Sequence, residues 1–207
     1  YFQILQQADP YNHLRSIHNG YVVYDNNKPW ITHASLQNSG AVRHPHRSAL
    51  LRKKWHKPVV FDEVNYEGNE TRSWGQLTPQ EMTRRVWLGT VDDTYVEHGE
   101  CYLSTNDTWL SYGGVLRGES WKRMGFLRKI FESMPGYGID PLPAAPDVEL
   151  GGQPGKYYLL YFNDKKPTSW SFALPREGLA DGMKFHVDVI DTWNMTITPV
   201  DDVFMVK

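Results

Sequence analysis

Short apolar runs that break off into polar clusters recur along the first part of the chain, and stretches of helical spacing separate them. Phe2, Ile4, Leu5 and Ala8 space as a short helix that Asp9 and Pro10 close. Residues 13–18, with Leu14 and Ile17 inside, read as a strand leading to His18 and Asn19, and residues 30–36 as a second one running into Gln37. Residues 43–56 have the pattern of an amphipathic helix, with Leu50, Leu51 and Trp55 on one side and Arg47, Arg52, Lys53 and Lys54 on the other. Val59, Val60 and Phe61 then form a continuous apolar run, as in a strand buried on both faces of a parallel sheet. It stops abruptly at Asp62 and Glu63, followed by Asn65, Tyr66 and Glu67.

The next helix has the clearest start in the chain. Thr78 stands at the cap position, Pro79 at the first helical position and Glu81 where a capping box places a carboxylate, and Met82, Val86, Trp87 and Leu88 carry the helix towards Asp92. Residues 94–102 read as a fourth strand ending in His98, Glu100 and Tyr102. Ser120 opens a last helix, with Met124, Phe126, Leu127, Ile130 and Phe131 on its apolar face. Strands alternating with helices predict an α/β protein with parallel pairing, about four βα units or half of an eight-stranded barrel. Prolines and glycines over residues 138–155 predict a linker. Beyond it, strand-like runs at residues 156–162, 169–174, 184–191 and 194–200 have the spacing of a small antiparallel β-sandwich. The expected division is therefore a half-barrel over residues 1–137, a linker over 138–155 and a sandwich over 156–207.

Composition narrows the function. A net charge of -2 and a pI near 6.5, with no run of Lys or Arg, leave no footprint for nucleic acid. No apolar run approaches the length of a membrane span, and no phosphate-loop or dinucleotide fingerprint is present, so neither membrane nor cofactor is expected. The single cysteine, Cys101, permits no internal disulfide, which favours a cytoplasmic or Gram-negative setting over an elaborate extracellular one. The chain opens on Tyr1 inside a helix, which points to an amino-terminal segment preceding it. Eight tryptophans and twelve tyrosines supply flat surfaces that suit sugar rings as well as a core.

The chemistry gathers at the predicted strand ends, where parallel sheets hold their ligands. A retaining glycosidase needs two carboxyl groups about 5–5.5 Å apart, one as nucleophile and one as acid/base. Glu63 stands where the nucleophile would. Glu67 and Glu100 would bind sugar hydroxyls or tune Glu63, and the alternative is pairing with Arg72 or Arg117 in loops. His18, Asn19, His33, Tyr66 and His98 fit hydroxyl partners or orienters of Glu63. Trp109 and Tyr112 would wall a sugar subsite or simply pack. His44 and His46 have a two-ligand spacing, but without a cysteine partner or second tight pair no metal site is expected there.

The segments KPVVFDEVNYEGN, WGQLTPQEMTRRVW, HGECYL and GGVLRGESWKRMGFLRKI resemble bacterial glycoside hydrolases related to the apiosidase-like, clan A enzymes, as do DPYNHLRSIHN, PWITHASLQ, GKYYLLYF and VIDTWNMTI. The resemblance implies the C-terminal half of a (β/α)8 TIM barrel followed by a small β-sandwich. It places Glu63 at the nucleophile position, after the seventh strand, with His18 and Asn19 ending the fifth strand, His33 the sixth, and His98 and Glu100 the eighth. The acid/base would lie on a fourth strand preceding this chain. The implied protein is a retaining O-glycoside hydrolase acting on an oligosaccharide or plant-type glycan, and a lone half would need its amino-terminal partner or self-associate. The alternative function is a non-catalytic carbohydrate-binding or scaffold module.

Overall fold

The computed structural model describes all residues except 20, 21, 38, 39, 45, 46, 105, 106, 109–113, 137, 145–147 and 172, and of residues 41, 104, 107 and 108 the backbone alone. Its centre is a three-stranded parallel sheet of β1 (Ala34–Leu36), β2 (Val59–Phe61) and β4 (Tyr95–Val96), with β2 in the middle. Ala34 pairs with Val59 and Leu36 with Phe61, while Val60 pairs with Tyr95. Helix α2 (Arg47–Trp55) connects β1 to β2, and α3 (Pro79–Val91) connects β2 to β4. These are the crossovers that parallel pairing requires. Helix α1 (Phe2–Ala8) buries none of its residues.

Each long helix forms for reasons visible in its sequence. Thr78 Oγ1 accepts from the Glu81 amide at 3.1 Å and Pro79 occupies the first turn of α3, so the predicted start is the observed one. The Glu81 carboxylate turns instead to Arg84 and Arg85, leaving only half of a capping box. Met82, Val86, Trp87 and Val91 of α3, Leu127 and Ile130 of α4 (Ser120–Ser133), and Val59, Phe61 and Leu36 of the sheet make one core. Trp87 also stacks on Tyr161, with ring centroids 5.7 Å apart.

The half-barrel is not what forms. The parallel sheet stops at three strands, and the remaining pairings lie in separate, mostly antiparallel sheets with no barrel closure among the described residues. After Glu97, whose amide still bonds the Phe61 carbonyl, the ladder breaks at His98 and Gly99. The chain resumes at β5 (Glu100–Cys101), which pairs with β3 (Glu67–Gly68) and not with the sheet. β6 (Leu103–Ser104) and β7 (Asp107–Thr108) pair with each other and, among the described residues, with no other strand.

The β-sandwich is corrected likewise. β8 (Asp140–Pro141), β9 (Glu149–Gln153) and β10 (Tyr157–Tyr161) form an antiparallel sheet that packs on α3, so strands occupy part of the stretch expected to be a linker. β11 (Lys184–Phe185) pairs with β14 (Phe204–Met205), and β12 (Asp188–Asp191) with β13 (Thr196–Pro199), as two separate ribbons. The residues of β12 and β13 are largely exposed, so among the described residues no second sheet packs over a common core.

Smaller departures have local causes. Residues 13–18 form no ladder; Arg15 meets Thr32 through single backbone and hydroxyl contacts. On α2 the inward positions are Ser48, Leu51 and Trp55, three and four residues apart, which leaves Leu50 64% exposed. Residues 169–174 carry no strand among those described, and Trp170 packs edge-on against Phe162. Among the described residues no helix is long and apolar enough to cross a membrane.

Candidate functional site

At the carboxyl end of β2 the ladder closes with two backbone bonds, Asp62 to the Leu36 carbonyl and Glu97 to the Phe61 carbonyl, so the polar residues that follow sit on a fixed edge. Asp62 Oδ2 accepts from the Ser35 hydroxyl of β1 and lies 2.8 Å from His18 Nδ1. That hydrogen bond raises the proton affinity of His18 above its usual value; partial burial opposes the rise, and the Asp62 and Glu63 charges add to it. Glu63 accepts from Gln37 Nε2, just past β1, and shares a hydrogen bond with the Tyr66 phenol. Burial first, and the Glu63 bond and charge second, push the Tyr66 proton affinity far up, so this phenol stays neutral as a donor.

The turn after Glu63 brings Tyr66 back to it. Asn65 takes φ 72°, in the left-handed region that asparagine tolerates better than most residues. Tyr66 is then held by backbone bonds to Trp74 and Leu77, and its ring meets Trp74 edge-on with centroids 5.6 Å apart. On its other side, a Cβ at Gly99 would run into the Tyr66 ring, so glycine is what allows the close approach.

A second polar group lies where β3 and β5 pair, with Glu67 directly opposite Glu100. Both are buried. Glu67 accepts from the Glu119 amide at 2.9 Å, the Ser120 amide at 3.1 Å, the Ser120 hydroxyl and the Tyr102 phenol at 2.8 Å. Burial alone would raise its pKa, but these bonds, led by Ser120, outweigh it and hold the carboxyl below its ordinary range. Glu100 Oε2 accepts from the amides of Arg117 and Gly118 at 2.8 and 3.0 Å. His98 Nε2 is 3.0 Å from Ser120 Oγ, and burial lowers its proton affinity against the pull of Glu100 and Glu67.

The residues expected at the site therefore separate into groups. His18, Glu63 and Tyr66 converge at the carboxyl ends of β1 and β2, and Asn19, next to His18, is buried with Oδ1 unpartnered among the described residues. Glu67, His98 and Glu100 converge at the start of α4. His33 does not join either group: it precedes β1, because only residues 34–36 enter the ladder, and it contacts Thr32 Oγ1 at 3.1 Å. Trp109, Tyr112 and His46 lie outside the described residues, and His44 ends the short 3-10 turn of Ala41–Arg43. Cys101 is fully buried, and burial raises its thiol pKa, the state of an inert thiol.

Gln37 and Asp62 stood at predicted strand ends and Ser35 within the second predicted strand, none with a role of its own, and Arg85 escaped the sequence reading. Strand alternation marks Ser35, in β1, and Gln37, just past it, as sharing one face. Arg85 carried a subtler signal, a cation four residues after Glu81 on a helix face otherwise bound for the core.

The central parallel strands carry carboxylates, an imidazole and a phenol at their carboxyl ends, the edge where parallel sheets commonly hold ligands. The chain is similar, over 99% of its length, at 34% identity and with a TM-score of 0.77, to a crystal structure described as that of a putative glycoside hydrolase from Bacteroides vulgatus, of whose chain it spans 41%. The model of a domain of unknown function, DUF5605, matches residues 147–207, a stretch that contains none of the residues around Glu63. No curated protein matches the chain.

Proposed function

We propose that this chain carries the nucleophile of a retaining O-glycoside hydrolase of the apiosidase-like type, acting on an oligosaccharide or plant-type glycan, with Glu63 as that nucleophile. The observation that carries the reading is the seating of Glu63: a carboxylate at the end of the central parallel strand, held from two sides by Gln37 and Tyr66. Two neutral donors fix its orientation for attack on an anomeric carbon. The similar Bacteroides vulgatus protein, described as a putative glycoside hydrolase, supports the same class.

Retention requires a second carboxyl to protonate the departing oxygen. The similar chain is much longer than this one, and in this reading the acid/base resides in a segment equivalent to the part that this chain does not span. In this reading His18, Asn19 and Tyr66 recognise sugar hydroxyls near Glu63.

The test is trapping. The protein, extended to include its acid/base segment, is incubated with activated 2-fluoroglycosides, whose leaving groups need little acid assistance. The expected result is a mass gain of one glycosyl unit on the peptide holding Glu63, absent in Glu63→Gln. Absence of any adduct from a folded protein that still binds sugar, equally well as Glu63→Gln, would favour the non-catalytic binding module instead.

A further inference from the structure

Glu67 and Glu100 are 0% and 1% exposed and face each other across the β3–β5 pair. Removing a carboxylate from water costs several kcal/mol even after relaxation, unless charge compensates it. The hydrogen bonds described for these two come from backbone amides, a serine hydroxyl and a phenol, all neutral. The start of α4 offers roughly half a positive charge, too little for two anions.

Among the described residues, one oxygen in this cluster has no hydrogen bond to accept. Both amide donors to Glu100 converge on Oε2, and Oε1 is buried without a hydrogen-bond partner among those residues. It faces His98 Nε2 at 3.6 Å, and one donor atom from each of Glu67, His98 and Glu100 lies within 4.8 Å of the others. Ligands around a tetrahedral ion with bonds near 2.0–2.1 Å stand about 3.4 Å apart, so the His98–Glu100 separation is close to that of two bound ligands.

We propose that Glu67, His98 and Glu100 form a binding site for a divalent transition-metal cation of the zinc type. Two carboxylates and an imidazole suit zinc, whereas magnesium and calcium prefer oxygen alone. The cation neutralises both buried carboxylates and occupies the unspent Oε1. The Ser120 hydroxyl, now between His98 Nε2 and Glu67 Oε2, rotates aside to free both atoms. Ser120 and Glu119 amides continue to hold Glu67, so the ion ties the β3–β5 pair to the first turn of α4. This site is independent of the role of Glu63.

The test uses the whole 207-residue chain, stripped with chelator and titrated with zinc by calorimetry, with bound metal counted by mass spectrometry. The expected result is one ion per chain and a rise in Tm. His98→Ala and Glu100→Gln should each weaken binding about 100-fold or more, since even outer-shell changes cost roughly 10–100-fold. His44→Ala should leave it unchanged. Cobalt loading of the unaltered chain, read by paramagnetic shifts of the His98 ring resonances, locates the ion even if a variant fails to fold. Failure to bind at millimolar zinc, loss of binding through His44→Ala instead, or cobalt that leaves the His98 ring unshifted would each overturn the proposal.

Discussion

Arg85 of α3, only 3% exposed, donates through Nη1 to the carbonyl of Val64, the residue that follows Glu63, while its Nε holds Glu81 at 2.7 Å. The start of the helix is thereby tied to the turn behind the proposed nucleophile. Arg85→Met should leave the Val64 carbonyl and Glu81 without this partner and cost about 2–4 kcal/mol of stability. Arg85→Lys, with a point charge in place of a fork, should recover only part of it. Urea denaturation of the three proteins checks this, and a Met variant as stable as the parent would refute the anchor.

Glu63 and its two donors should separate chemistry from binding. In the extended enzyme, Glu63→Gln should lower turnover by on the order of 10³-fold or more while altering sugar affinity little, because it removes the group that forms the intermediate. Tyr66→Phe removes one hydrogen bond to a charged group, about 1.5–3 kcal/mol, and should cost roughly 10- to 100-fold. Steady-state kinetics with an activated glycoside distinguish the two. Equal losses would mean that Tyr66 does more than orient Glu63.

His18 predicts a pH dependence with a definite sign. Its hydrogen bond to Asp62 raises the folded-state pKa above the ordinary 6.5, so the folded protein holds the proton more tightly than the unfolded chain. The stability this contributes is fully present below about pH 6.5 and is lost as pH rises through the folded-state value. The Tm difference between the parent and His18→Gln should therefore shrink from pH 6 towards alkaline pH. Titration of the His18 ring by NMR gives the midpoint directly, and a value at or below 6.5 would contradict the pairing.

Where the sequence was legible, one residue's own chemistry decided its place. Thr78 and Pro79 mark a helix start whatever lies around them, and of the apolar run Val59 and Phe61 are buried while Val60 is half-buried. The parallel order of β1, β2 and β4 followed from the alternation of elements. What failed was the extrapolation from three strands to a half-barrel, because a two-residue strand such as β5 chooses its partner by tertiary contact: Glu100 pairs with Glu67 through their shared position at the start of α4. His33 departed for a related reason, since the strand begins at Ala34 and not at Trp30, which moves His33 from the ladder to its entrance. Glu63 stood out because a buried run ending in a carboxylate is unusual at any register. Its grip by Gln37 and Tyr66 depended on the Asn65 turn, which no periodicity reports.

Gly99 offers a way to move Tyr66 without changing it. The residue lies between His98 and Glu100, and a methyl group there would occupy space held by the Tyr66 ring. In Gly99→Ala the ring must shift, which weakens both its edge contact with Trp74 and its hydrogen bond to Glu63. Turnover should fall about as far as in Tyr66→Phe, roughly 10- to 100-fold. If both changes act through the same bond, the double variant Tyr66→Phe/Gly99→Ala should be little worse than either single one, since residues sharing an interaction are not additive. Kinetics of the four proteins close the cycle. Fully additive losses would show that the alanine harms the site by another route, such as displacement of His98 or Glu100, and that contact with Gly99 does not set the position of the phenol.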